Sequence, residues 1–253
     1  MIRIIIPVYN EEKNIENCII KVAQVIKGQK YQFCIINDGS KDSSGSIINR
    51  LSQKFPIKLI NHETNRGIAQ VFRSGIIDMI KEGKTGDIIV IMEGDGTSNP
   101  QLLIPMIRSV INGGDIVIAS RYKSGGGYLN FPIKRLFYSR LANMVFRIIF
   151  PSEKVKDYTI FYRAYSFKIL KKVLQTYKDN LITSKYFVAN TELLIKLMKL
   201  TKDIEEIPLM YDYGQKKGKS GLNIRKNLFQ YLIFIFRDAS ERILRSITGE
   251  SKF

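Results

Sequence analysis

Five short apolar runs, most of them closed by polar or glycine-containing loops, constrain this chain more than any other feature. Ile2 to Val8, Tyr31 to Ile36, Ile57 to Asn61, Asp87 to Met92 and Asp115 to Ala119 are rich in β-branched residues and too short for helices. They read as buried strands. Between them, Glu11 to Val25 carries Ile15, Cys18, Ile19, Val22 and Ile26 at helical spacing. Asp42 or Ser43 can cap a helix running through Leu51, and a third helix follows Asn65-Arg66-Gly67 to Ile80. Strands and helices alternating at this length predict an α/β fold, Rossmann-like, with a mostly parallel sheet flanked by helices. In such sheets ligands bind outside the carboxyl ends of the strands.

Glu93-Gly94-Asp95 stands on that edge, immediately after the fourth run. Two carboxylates separated by one small residue offer hard oxygen ligands, which suit Mg²⁺ or Mn²⁺ shared with a substrate's phosphates. Taken alone, the same triplet is also an ordinary solvated acidic turn.

Charge narrows the partners. Forty basic against twenty-three acidic residues give +17 over 253 residues, a field that favours nucleic acid, an anionic membrane surface or phosphorylated substrates. The basic residues are not interleaved with an aromatic stacking platform or a recognised helix motif, so nucleic acid is set aside. Cys18 and Cys34 show no metal spacing and read as buried free thiols in a reducing compartment. No apolar run approaches the roughly 18–20 residues that span a bilayer, and Met1 leads straight into a strand. The expected location is cytoplasmic, peripheral at the inner face of the membrane.

Beyond Ser120 the pattern loosens. Ser124 to Gly127 is a flexible stretch, Pro132 to Phe150 a basic helical segment and Lys156 to Tyr165 a candidate strand. Helices are expected at about 166–178 and 189–200 and an extended segment from Glu206 to Tyr213, followed by a basic, glycine-rich loop from Gly214 to Gly221. Residues 121–147 hold six Lys or Arg and no acid. Two short helices, at about 223–236 and 238–248, are expected to close the chain. In the first, Ile224, Leu228, Tyr231, Leu232 and Ile235 form a stripe; Ala239, Ile243 and Ile247 continue it, with Arg237, Arg242 and Arg245 alongside. That pattern suits helices lying on a membrane surface. It suits equally helices docked on the preceding domain, or a homo-oligomer contact. The implied division is 1–222 for the main domain and 223–253 for the amphipathic extension.

Together these motifs resemble family 2 glycosyltransferases of the GT-A fold. They are Pro7 to Glu12, Asn37 to Asp42, Asn65-Arg66-Gly67 and Glu93 to Gly96. The second half, with Ala119 to Tyr122, Gly125 to Gly127, Arg135 with Ser139, Asp157 to Arg163 and Gly218-Lys219-Ser220, is similar to polyprenyl- and dolichyl-phosphate sugar synthases. The chain departs from that pattern at Glu93, where Asp is usual, at Phe161-Tyr162-Arg163 in place of Gly-Phe-Arg, and at Gln215, where an arginine is usual.

The resemblance implies a metal-dependent, inverting transfer from a GDP- or UDP-sugar to a polyprenyl (or dolichyl) phosphate. A saccharide hydroxyl in glycan synthesis is the alternative acceptor, and nucleotidyl transfer stays open on fold logic. Pro7, Tyr9, Glu11, Asp38, Arg66, Gly67, Glu93, Gly94 and Lys217 are then expected around the nucleotide-sugar, with Glu93 and Asp95 on the metal. Arg121, Arg135 and Ser139 would hold the acceptor phosphate; the last two, four residues apart, share one helix face. Arg73 is a second candidate beside Arg66 for the base or phosphates. Asp95, Arg121 and Asp157 are the expected catalytic residues. Asp157 is read either as a base or sugar ligand, or as the ion-pair partner of Arg163. His62, the sole histidine, is read as a loop residue rather than a catalyst.

Overall fold

The computed structural model of the chain describes residues 1–218 and 224–248. The five expected strands are present as β1 (Ile2–Val8), β2 (Tyr31–Asp38), β3 (Ile57–His62), β4 (Ile88–Ile91) and β5 (Ile116–Ser120). They are linked by α1 (Ile15–Val25), α2 (Ser44–Leu51), α3 (Ile68–Glu82) and α4 (Leu103–Ile111). There follow β6 (Gly127–Leu129), α5 (Ile133–Ile149), β7 (Arg163–Ser166), α6 (Phe167–Tyr177), α7 (Val188–Met198), β8 (Ile204–Pro208), β9 (Met210–Asp212) and α8 (Ile224–Thr248).

Seven strands form one sheet in the order β3-β2-β1-β4-β7-β5-β8. Its neighbours run parallel except around β7, which is antiparallel to both β4 and β5. Helices cover both faces, so the central strands are apolar without alternation. Ile4, Ile5 and Ile6 of β1 and Phe33 to Ile36 of β2 have no exposed surface. β6 and β9 make a separate parallel pair beside the sheet's carboxyl edge.

Two expectations are corrected here. The strand expected from Lys156 begins only at Arg163, because Asp157 turns the chain by accepting the backbone N–H groups of Thr159 and Ile160, each at 3.2 Å. The two closing helices are one, unbroken from Ile224 to Thr248. Arg237 and Asp238, the polar pair at the expected break, instead fasten α8 to α7 and its C-terminal end, through Glu192 at 3.0 Å and Lys199 at 2.7 Å.

Spacing also misplaces two members of the α8 stripe, Leu232 and Ala239, which are both exposed. Asn227, Phe234 and Asp238 are buried, with Ile224, Leu228, Tyr231 and Ile235 beside them, whereas Leu232 lies on the exposed side with Phe229 and Phe236. The side chains of Arg242, Ile243, Arg245 and Ile247 lie outside the described residues, as do Lys219, Ser220 and Gly221. Among the described residues, no helix is long and apolar enough to cross a membrane. Cys18 and Cys34 are buried free thiols, as expected.

Candidate active site

The loops after β1, β2, β4 and β5 converge on a cleft of about 860 Å³, closed on its far side by α5, the 211–216 segment and the start of α8. Close approach of these loops depends on small residues. A Cβ on Gly39 (φ +68°) would lie 2.5 Å from the backbone of Thr64, and one on Gly94 would meet Ile6 at 3.0 Å and the Pro7 carbonyl at 3.3 Å. Larger residues there would push the β2 loop off the β3 loop, or the carboxylate loop off β1.

Of the residues expected from sequence, the cleft gathers Pro7, Tyr9, Glu11, Asp38, Gly67, Glu93, Gly94, Asp95, Arg121, Arg135 and Ser139 on one lining. Three others stand behind it. Arg66 is exposed and supplies its backbone N–H to Asp38 at 2.9 Å. Lys217 contributes backbone, its N–H donating to Asn14 Oδ1 at 3.0 Å and its carbonyl accepting from Asn14 Nδ2 at 2.8 Å. Asp157 is wholly buried. Arg73 faces elsewhere, paired with Asp179 at 2.5 Å.

Asp38 is already heavily bonded. One carboxylate oxygen meets His62 Nδ1 at 2.7 Å and the Arg66 N–H, and the other accepts from Gly67 N–H at 2.9 Å. His62 is therefore not a loop residue. It closes β3, is buried, and links Asp38 to Ser74 Oγ at 3.1 Å, so it fixes the carboxylate that stands at the cleft.

The carboxylate pair has the chemistry of a cation site. Asp95 Oδ1 accepts from the N–H and hydroxyl of Thr97, which leaves Oδ2 toward the cleft, where the Lys216 ammonium meets it at 2.7 Å. Desolvation, with the neighbouring Asp95 charge, pushes the Glu93 carboxyl up to about 7, against the opposing pull of the Ser98 hydroxyl and Arg121. Two carboxylates on one loop that feel each other's charge, one of them already drawing an internal ammonium, fit a divalent ion completed by substrate oxygens. Among the described residues no group of three or more His, Cys, Asp or Glu is arranged to hold a metal by itself, so phosphate and water would complete the shell.

Arg121 and Asp157 form the second constellation. Arg121 Nε and Nη2 each donate to Asp157 at 2.7 Å, and Nη2 also reaches Thr159 Oγ1 at 2.7 Å. The guanidinium carbon lies 5.3 Å from the ring centroid of Tyr128 and 5.7 Å from that of Tyr211, within cation–π range. Its Nη1 has no hydrogen-bond partner among the described residues. Burial alone would raise the Asp157 pKa, but Arg121's charge and hydrogen bonds hold it below the ordinary carboxylate range. The expected partner Arg163 binds Asn190 and the Tyr158 carbonyl instead.

Both α5 residues lie on the lining, as their spacing predicts. Arg135 Nη1 donates to Tyr213 at 2.7 Å, and Ser139 Oγ is 3.1 Å from the Tyr128 hydroxyl. The tyrosines themselves, Tyr128 of β6, Tyr211 of β9 and Tyr213 just after it, escape sequence reasoning because they come from two segments far apart in the chain and carry no motif. Lys216 escapes it as the cleft-facing lysine for a different reason: only the Asn14 clasp decides which lysine of the basic loop turns inward.

The model of the glycosyl transferase family 2 matches residues 3–174. The chain is 32% identical over 236 residues to a dolichol-phosphate mannosyltransferase of Pyrococcus furiosus, covering 93% of this chain and 63% of that protein. It is 28% identical to a polyprenol monophosphomannose synthase of Mycolicibacterium smegmatis, covering 90% of this chain and 84% of the relative. The chain thus spans under two thirds of the Pyrococcus protein. Glucosyl-3-phosphoglycerate synthase from Mycobacterium tuberculosis, solved with Mn²⁺, UDP and glucosyl-3-phosphoglycerate, superposes with a TM-score of 0.66 at 15% identity, covering 91% of this chain and 76% of that one. At that identity the likeness concerns the fold, which is GT-A.

Proposed function

The chain belongs to glycosyl transferase family 2, and from that premise we propose that it moves a sugar from a nucleoside diphosphate to a polyprenyl phosphate, with inversion, at the cytosolic face of a membrane. One arrangement carries this reading: a carboxylate pair suited to a cation and an arginine pair suited to phosphate line the same cleft. The names of the Pyrococcus and Mycolicibacterium relatives support it.

In this reading the Pro7–Glu11 loop and Asp38 receive the nucleoside, and Glu93 and Asp95 hold Mg²⁺ or Mn²⁺. When bound, the ion neutralises charge building on the departing diphosphate. Arg121 Nη1, Arg135 and Ser139 hold the acceptor phosphate, the guanidinium groups by charge-assisted hydrogen bonds. Asp157 orients Arg121 and takes up no proton. None is needed from it, since a phosphate monoester oxygen is largely ionised above its second pKa of about 6 and has only to be positioned in line with the anomeric carbon. A saccharide hydroxyl would require a base, and the commitment of Asp157 to Arg121 favours the phosphate over it.

The lipid half of the reading has its own support. Arg135 and Ser139 face the cleft from α5, while the opposite side of that helix exposes Ile133, Phe137, Leu141, Met144 and Ile148, flanked by Lys134, Arg140 and Arg147. One helix thus turns an apolar, basic-edged face outward and phosphate-binding groups inward, as a peripheral enzyme drawing a phosphate from a bilayer requires. Phe137→Glu is expected to weaken binding to vesicles containing anionic phospholipid by about tenfold, the scale of losing one buried aromatic ring, with the melting temperature unchanged. Vesicle sedimentation measures it.

The direct test is a panel of UDP- and GDP-sugars offered with undecaprenyl phosphate, with and without Mn²⁺, scored by formation of lipid-linked sugar. Arg135→Ala is expected to raise the KM for the lipid phosphate about tenfold or more, the order of one charge-assisted contact, with donor affinity little changed. Release of pyrophosphate, or transfer only to saccharide hydroxyls, would replace this reading.

A further inference from the structure

Lys216 stands in the cleft where the sequence draws attention to its neighbours instead. Its ammonium lies 2.7 Å from Asp95 Oδ2 and 3.3 Å from Glu11 Oε1, and its side chain is only 9% exposed. Burial works against its charge, but the two carboxylates outweigh it and raise its pKa. The backbone beneath it is held: Asn14 clasps Lys217 at both N–H and carbonyl and also donates to Glu11 at 2.6 Å. The loop is fastened at its root while the lysine's four-carbon stem extends from a fixed point.

An ammonium and a divalent ion cannot share Asp95 Oδ2 at contact distance, because like charges that close in a partly desolvated cleft repel strongly. Resting on the metal reading above, we infer that Lys216 is an exchangeable internal cation: it neutralises Asp95 and Glu11 while the donor is absent, and passes to the donor's diphosphate when a divalent ion takes its place. No backbone displacement is needed, only a side-chain swing from carboxylate to phosphate oxygen. The consequence is coupling. Divalent ion alone has to evict the lysine into the cleft, whereas ion and nucleoside diphosphate together give it a new partner. Each therefore raises the affinity for the other.

Mn²⁺ titration followed by electron paramagnetic resonance, alone and with saturating UDP or GDP, tests this. Wild-type protein is expected to bind Mn²⁺ weakly alone and at least about tenfold more tightly with one of the two nucleotides, within the usual range of such couplings. In Lys216→Met, Mn²⁺ alone is expected to bind about tenfold more tightly than in wild type, the nucleotide more weakly, and the coupling to collapse. Lys216→Arg, which keeps the charge, retains most of it. Unchanged or weaker binding of Mn²⁺ alone in Lys216→Met overturns the exchange while leaving the metal site standing. Absence of Mn²⁺ binding in every protein, with or without nucleotide, overturns the metal reading and the exchange together.

Discussion

Asp95→Ala is expected to lower sugar-nucleotide turnover by roughly a thousandfold or more, since Lewis-acid stabilisation of a leaving diphosphate is worth several kcal/mol and each 1.36 kcal/mol is about tenfold in rate. The substitution removes the oxygen that faces the cleft, Oδ2, and with it the shared contact to Lys216. Stability is expected to fall by about 1–3 kcal/mol, a few degrees of melting temperature, because buried Thr97 loses the acceptor of its N–H and hydroxyl, while Lys216 keeps Glu11. The informative comparison is turnover against Mn²⁺ concentration for both proteins, beside their melting curves without nucleotide. A variant that retained wild-type rates at saturating Mn²⁺ would remove Asp95 from the metal site. One that lost activity together with about 10 °C of melting temperature would make the residue structural.

How much of this was legible beforehand follows from how local each feature is. Strands β1, β2, β4 and β5 announce themselves because a parallel sheet covered on both faces leaves little reason for polar alternation. They read as apolar runs interrupted only by Arg3 and Gln32, while β3, at the sheet edge, is poorer in apolar residues and carries Lys58 and Asn61. Glu93 and Asp95 were placeable because the run Asp87 to Met92 fixes the sheet edge on which they emerge. β7 was not placeable: nothing in Arg163–Ser166 says that the chain returns between β4 and β5 and runs the other way. The partner of Asp157 was misread for the same reason. Arg163 is near in sequence, whereas Arg121 reaches Asp157 only because β5 delivers it to the same edge.

Helix α8 shows a different failure. Its apolar residues occupy both sides, and spacing alone grouped Leu232 with the inward set. The structure sorts them by what they meet: Tyr231 and Phe234 pack on Phe146 of α5 with ring centroids 5.0 and 6.4 Å away, while Leu232 is left on the surface. Hydrophobic period identifies a helix, but a second apolar face, such as those α5 and α8 expose, makes the inward direction ambiguous.

Asp157→Ala carries the second large effect, and it is an effect on folding before it is one on turnover. The carboxylate has no exposed surface and receives Arg121 through two 2.7 Å bonds, with the Arg121, Thr159 and Ile160 N–H groups also on its oxygens. Removing one member of a buried pair leaves the other charged and uncompensated, at a cost of about 3–5 kcal/mol. For a chain of this size that corresponds to a loss of roughly 10 °C in melting temperature. Because the folded pKa lies below its ordinary value, the pair's contribution is complete above the normal carboxylate range and is lost as pH falls through the depressed folded value. The gap between wild type and variant should therefore narrow in acid. Asp157→Asn separates positioning from proton transfer. A catalytic base replaced by an amide loses turnover at unchanged melting temperature, whereas an anchor for Arg121 loses both, with KM for the lipid phosphate rising as the guanidinium loosens. Adding Arg121→Met to Asp157→Asn should recover much of the stability, since the stranded charge is gone, without restoring use of the acceptor. Recovery of stability without activity identifies Asp157 as the support of Arg121. Full turnover by Asp157→Asn at wild-type stability would show that Arg121 needs no such support.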